Sequence, residues 1–338
     1  MSTLSLDYYV FDPASHIIRS IVSCLRSSFP EISQWGVDKI PDLQGDVMIV
    51  TGGNTGIGKE TCKALLKKNA KVYLAARDER KALAAIGELE RETGKKAHYL
   101  HLDLASLKSI KASAEAFMSK ETTLHLLFNN AGVMLPSTQK HTEDGYDLSF
   151  GTNALGHFYF TKLLFPVLFN VQEGRKARVI NTTSWVHLWG SSLIGPGVEF
   201  DTFKDGPKRR RKGEFWLYGQ SKLANVIFTQ ELVRRYGDKV VSFAAHPGNV
   251  NTDIVRGTWF SLQWPIVNRL VLTPAQGAIT QLWAGTEKGI EEHNGAYLVP
   301  LARFSKPRSN DPVLGRELWE WFEEQVKIFE ESNWVWND

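Results

Sequence analysis

Short apolar runs alternating with longer amphipathic stretches predict an α/β fold: one doubly wound parallel sheet of about seven strands with helices on both faces. Three observations carry this expectation. The runs 47–50, 72–76, 99–104, 124–128, 178–181, 240–245 and 296–299 are almost continuously apolar, as strands covered on both faces must be. Helical patterns such as 59–68, 79–92 and 107–118 separate them. A glycine-rich turn follows the first run. Right-handed crossovers about a switch point then give the strand order 3-2-1-4-5-6-7, with ligands at the carboxyl ends of the strands.

Residues 1–44 read as a separate helical extension. Ile17, Ile18, Ile21, Val22 and Leu25 fall at helical spacing, with Arg19, Ser20 and Ser23 on other faces. Such a helix either packs on the main body or lies on a membrane surface. Pro30 and Pro41 punctuate the connector to a catalytic domain at 45–338. Inside that domain the stretch 204–214 (KDGPKRRRKGE) reads as a solvated basic insertion. The segment 252–272 clusters Trp259, Phe260, Leu262, Trp264, Ile266 and Val267, either as core or as the apolar wall of a substrate lid. Leu314, Leu318, Trp321, Phe322 and Val326 predict a closing surface helix at about 312–331.

Composition narrows the function. The 338 residues are 43% apolar and 23% charged, a globular balance. Forty basic against thirty-seven acidic residues leave a net charge of +3, too small and too scattered for a nucleic-acid binder. Cys24 and Cys62 supply neither a disulfide framework nor a four-cysteine zinc site, and the histidines lack metal-ligand spacing, so no metal is expected. No apolar run approaches the roughly 20 residues of a membrane helix, and no secretory signal is evident. A cytoplasmic location, or a peripheral one on an intracellular membrane, is expected.

The first strand runs into Thr51-Gly52-Gly53-Asn54-Thr55-Gly56-Ile57-Gly58-Lys59-Glu60. Glycines between a strand and a helix permit a tight turn and let a pyrophosphate approach the helix N-terminus. This is not a kinase-type loop, because Glu60 follows Lys59. Arg77 ends the second strand, 19 residues past Gly58, where an acidic residue would select NAD and an arginine pairs with a 2′-phosphate. Arg77 and Lys59 together favour NADP(H) over NAD(H), although Asp78 adjoins them.

Tyr218 and Lys222 lie four apart at the start of an amphipathic run and so share one helix face. A free tyrosine titrates near 10; a neighbouring ammonium and an oxidised nicotinamide favour its phenolate, letting it exchange a proton during hydride transfer. Asn129-Asn130-Ala131-Gly132, Asn153, Asn181-Thr182-Thr183-Ser184 and His246-Pro247-Gly248 accompany the pair in order. From about residue 46 to 300 this set resembles the short-chain dehydrogenase/reductase family. The stretches TGGNTGIGKET, AARD, NNAG, YGQSKLAN and HPGNVNT, with Ser184 and His187 three apart, look like its retinol-dehydrogenase-like branch.

The resemblance implies a Rossmann-type fold and roles for particular residues. Tyr218 would be the acid/base. Lys222 would hold the ribose hydroxyls and acidify Tyr218. Ser184, in competition with Thr183, would bind the substrate oxygen, and Asn153 would hold a water linking Lys222 to solvent. Gly52, Gly56, Ile57 and Gly58 would line the pyrophosphate, Asp103 and Leu104 the adenine, and Asn130, Ala131 and Gly132 the cofactor ribose; Val250 and Thr252 would reach the nicotinamide amide. The implied activity is NADP-dependent interconversion of an alcohol and a carbonyl on a bulky apolar small molecule. A membrane-surface retinoid or lipid dehydrogenase and a non-catalytic nucleotide sensor are the alternatives. Pairing into dimers or tetramers through helices flanking the active site is also implied. The 34 residues from Ser184 to Tyr218 exceed the family's usual connection.

Overall fold

The structure, a computed structural model, describes residues 33–188, 197–251, 271–307 and 310–334. The amphipathic stretch 17–25, Cys24, Thr252 and nearly all of the 252–272 segment lie outside the described residues. In chain order the sheet and its helices are β1 (Val47–Thr51), α1 (Gly56–Lys67), β2 (Lys71–Ala76), α2 (Glu79–Thr93), β3 (His98–His101), α3 (Leu107–Met118) and β4 (Leu126–Asn129). A short α4 (Leu148–Phe150) runs through a π-helical turn (Gly151–Leu155) into α5 (Gly156–Leu163), and α6 (Phe165–Leu168) precedes β5 (Ala177–Thr182). Then follow α7 (Pro207–Arg210), α8 (Glu214–Tyr236), β6 (Val240–Ala245), α9 (Pro274–Thr286), β7 (Tyr297–Val299), β8 (Arg303–Ser305) and α10 (Pro312–Trp334).

The sheet has eight strands in the order β3-β2-β1-β4-β5-β6-β7-β8. The first seven are parallel, in the predicted order. The eighth adds an antiparallel edge strand on β7, which the apolar pattern misses because β8 is largely exposed. Its turn places Leu301 and Ala302 both at φ 63°, a left-handed pair that hairpins usually fill with Asn-Gly. β3 ends at His101, short of the predicted 104, and Leu102, Asp103 and Leu104 turn toward the ligand edge.

Period-two alternation splits the core between the two faces. Ile49, Leu127 and Val179 face Ile110, Phe117 and Phe158 of α3 and α5. Met48, Val50, Phe128 and Phe243 face Cys62, Leu65, Ile86 and Leu282 of α1, α2 and α9. Trp35, Ile40 and Leu43 bury against this second side, so residues 33–44 lie on the body. α10 closes the first side with Leu314, Leu318, Phe322 and Val326. Trp319, rather than the Trp321 of the sequence pattern, is its deeply buried tryptophan, 5.0 Å edge-on to Phe158. Trp321 sits at the rim, edge-on to Tyr146 at 5.9 Å.

The basic insertion is not simply solvated. Arg209 is 0% exposed, the largest fully buried side chain among the described residues. Its guanidinium holds the Asp147 carboxylate (Nε at 3.0 Å, Nη2 at 2.9 Å) and donates to the carbonyls of Thr138 (2.6 Å) and Lys140 (3.0 Å). Asp147 also caps α4 by accepting from the Phe150 amide at 2.9 Å. The carboxylate and carbonyls lie 62 to 71 residues upstream, which is why the local run of basic residues conceals the burial.

Candidate active site

At the carboxyl end of β1 the chain must turn sharply into α1. Gly52 and Gly56 take φ of +66° and +54°, and a Cβ on Gly58 would stand 2.3 Å from the Gly52 carbonyl oxygen. No side chain caps α1 from Thr55, and its first turn has no acidic residue, so the helix presents its N-terminal amides and positive dipole end to an anion. They open into a cleft of about 410 Å³. Gly52, Gly56, Ile57 and Gly58 form one end of it, Arg77, Asp103 and Leu104 the other, and Asn130, Ala131 and Gly132 a wall between. The Thr51 hydroxyl fixes that wall by accepting from the Asn130 and Ala131 amides, both at 2.9 Å. Glycines that a side chain would obstruct, an uncapped helix start and a cation at the far end fit an NAD(P) dinucleotide.

Four of the predicted cofactor contacts, Lys59, Tyr218, Lys222 and Val250, do not line this cleft. The Lys59 ammonium pairs with Glu88 of α2 and does not line the cleft. Among the described residues the lysine that does is Lys81; Asn54 and Thr55 of the glycine loop, Val133 and Thr152 line the cleft as well. Lys81 sits three residues past Asp78, whose carboxylate caps α2 by accepting from the Lys81 amide at 3.0 Å. That capping role accounts for the acidic residue beside Arg77. Arg77 is mostly exposed, its Nε 3.8 Å from Asp103.

The second half of the site stands on α8. Tyr218 and Lys222 are both buried, with the lysine Nζ 5.8 Å from the centre of the tyrosine ring and donating to the Thr182 carbonyl at 3.1 Å. The Ser184 side chain stands beside Tyr218 and favours its phenolate, while its Oγ accepts from the Val186 amide at 3.3 Å. Thr183, its competitor in sequence, turns its hydroxyl away to the Lys222 carbonyl at 2.7 Å. The Asn153 side chain grips both backbone groups of Val133, at 2.8 and 3.0 Å, and donates to the Ser221 hydroxyl at 3.0 Å. It does so from the π-helical turn, whose extra residue in the helix re-aims a side chain. A Cβ on Gly132 would lie 3.0 Å from the Asn153 Oδ1 and 3.4 Å from the Lys222 Nζ, so glycine there leaves the cleft wall open to both. Val250 meets Ile57 across Gly277: a Cβ on Gly277 would lie 2.7 Å from Val250 and 3.1 Å from Ile57.

Burial acts in opposite senses on the two titrating groups. It lowers the Lys222 ammonium to about 8 and raises the Tyr218 hydroxyl to about 12, with Ser184 pulling the phenol the other way. The expected phenolate depends on both a neighbouring ammonium and an oxidised nicotinamide; in the folded chain alone, burial keeps the phenol above its ordinary range.

A short-chain dehydrogenase/reductase of Armillaria gallica is 49% identical over 315 residues, spanning 91% of this chain and 98% of that protein. The chain belongs to the short-chain dehydrogenase/reductase family. The family model described as short chain dehydrogenase matches residues 46–193. Retinol dehydrogenase 12 of Mus musculus is 36% identical over 312 residues, covering 90% of this chain and 94% of its own. A solved protein from Mycobacterium paratuberculosis shares the fold with TM-score 0.66 at 27% identity, over 87% of this chain and 97% of that one. A short-chain dehydrogenase of Shigella flexneri solved with NADP has TM-score 0.61 at 21% identity, over 77% and 98%. As a short-chain dehydrogenase/reductase the protein is an NAD(P)-dependent oxidoreductase acting on CH–OH groups of small molecules.

Proposed function

We propose that this short-chain dehydrogenase/reductase prefers NADP(H) and interconverts an alcohol and a carbonyl on a bulky apolar small molecule, with Tyr218 as acid/base. The observation that carries the reading is Lys222 standing just behind Gly132 of the cleft wall, with the Tyr218 ring 5.8 Å from its Nζ and Ser184 beside that tyrosine. The bound nicotinamide cofactor supplies or accepts the hydride. In reduction the Tyr218 hydroxyl, fully protonated at neutral pH, gives its proton to the carbonyl oxygen as that oxygen gains negative charge. In oxidation it takes the alcohol proton. The Ser184 hydroxyl, beside Tyr218, donates to the same oxygen and holds it within the phenol's reach. Lys222 and a pyridinium, when oxidised cofactor is bound, stabilise the phenolate against its burial. Asn153 holds the Val133 backbone and Ser221, and so fixes the cleft wall against α8.

Arg77 at the cleft's far end supports the NADP(H) preference, with Lys81 a second cation there. Retinol dehydrogenases among the relatives support a bulky apolar alcohol or aldehyde as substrate. Among the described residues no helix is long and apolar enough to cross a membrane. NADPH consumption against a panel of apolar aldehydes and ketones tests the mechanism. Tyr218→Phe is expected to lower turnover by about 10²–10⁴-fold while NADPH still binds; equal turnover in the two proteins would remove Tyr218 from the chemistry.

A further inference from the structure

His157 is 1% exposed, in the first turn of α5 and four residues after Asn153. Its Nδ1 lies 3.0 Å from the Asn153 carbonyl oxygen and its Nε2 3.0 Å from the Thr51 hydroxyl. A carbonyl oxygen only accepts, so Nδ1 carries the proton. The Thr51 oxygen already accepts from the Asn130 and Ala131 amides, which fills both of its lone pairs. Its one hydrogen remains to be donated, to His157 Nε2 or to the more distant Phe128 carbonyl at 3.2 Å. A neutral, Nδ1-protonated imidazole therefore completes the chain from the cleft wall through Thr51 and His157 to Asn153. A second ring proton would point at an oxygen with no lone pair left.

We propose that His157 is a positioning residue that ties the dinucleotide wall, through Thr51, to the π-helical turn carrying Asn153, and so holds the two halves of the active site in register. The ring links the end of β1 to the helix that leaves the π-helical turn, and both hydrogen bonds are fully buried, where each is hard to replace by water. The catalytic half of the inference rests on the reading of Tyr218 and Lys222 given above; the cofactor half does not.

Asparagine places an amide where the Nδ1 of histidine lies, and glutamine reaches to where Nε2 lies. The two variants therefore cut the link on opposite sides. His157→Asn keeps a donor for the Asn153 carbonyl and loses Thr51; NADPH Kd, read by fluorescence titration, should rise about tenfold, with kcat at saturating NADPH falling by a smaller factor. His157→Gln keeps Thr51 and loses Asn153; Kd should stay near wild type while kcat falls about tenfold. Thr51→Val, which also strands the Asn130 and Ala131 amides, should weaken NADPH at least as much as His157→Asn, and the double variant should be no weaker than Thr51→Val alone. Thr51→Ser, which keeps the hydroxyl, should restore binding. Asparagine and glutamine variants with the same profile, or additive losses in the Thr51/His157 cycle, would overturn the proposal. The titrations need no substrate, so they decide the cofactor half even if Tyr218→Phe retains turnover.

Discussion

His157 and His246 both sit fully buried, and desolvation pushes each imidazole down to about 3 from the usual 6.5. Between those values the unfolded chain binds protons that the native chain does not, so native stability falls as pH drops below about 6.5. Each histidine contributes about 1.4 kcal/mol of loss per pH unit in that window. The midpoint of urea unfolding, followed from pH 7 to pH 5, should therefore fall steeply in wild type, and His246→Gln should flatten the slope. An unchanged slope in that variant would assign the acid sensitivity to other groups. Lys222 works in the same sense at higher pH: between about 8 and its ordinary value near 10.5 it is neutral only when folded, so stability gains with pH there too. At the cofactor's far end, Arg77→Asp should weaken NADPH more than NADH, read as the ratio of the two dissociation constants. A carboxylate there repels a 2′-phosphate and accepts from a 2′-hydroxyl.

The elements most legible in sequence are those set by contacts close along the chain. The seven parallel strands show as apolar runs, the phosphate turn as glycines between a strand and a helix, and the Tyr218–Lys222 pair as a one-turn spacing. Two features depend on partners far away and a third on an atypical turn, and all three left little local trace. Lys59 turns to Glu88 on the next helix, leaving Lys81 as the lysine in the cleft. The β7–β8 hairpin uses Leu301 and Ala302 where a turn signal would need glycine or asparagine. His157 reads as an ordinary core position until Thr51, 106 residues earlier, is placed against it. Arg209 is the fourth such case, and the most costly to disturb. Removing it strands Asp147, whose carboxyl burial already raises above its usual range. Arg209→Ala should destabilise the fold by about 3–5 kcal/mol in urea unfolding. Arg210→Ala, next to it but half exposed and paired with Asp205, should cost no more than about 1 kcal/mol.

Taken whole, the molecule covers one flank with its own α10. Trp319 and Phe322 stand against Phe158 of α5, and Trp319 lies 6.0 Å from Phe228 of α8, so α10 occupies the face of the two helices that carry His157 and Tyr218. Subunits that paired through that face would first have to displace it. Deleting residues 312–338 should expose Phe150, Phe158, Phe203 and Phe228 as one aromatic slab. Light scattering after size-exclusion chromatography should then show self-association at concentrations where the full chain gives a single species. A truncated protein with the full chain's apparent mass per subunit and no added aggregation would mean the slab is protected some other way. Ribosomal synthesis adds a time dimension: everything beneath α10 is translated before it, so the nascent polypeptide carries a greasy, half-finished flank until the closing segment emerges. Premature stops or stalls within that last stretch should therefore yield polypeptides that chaperones retain, with the catalytic side chains already encoded.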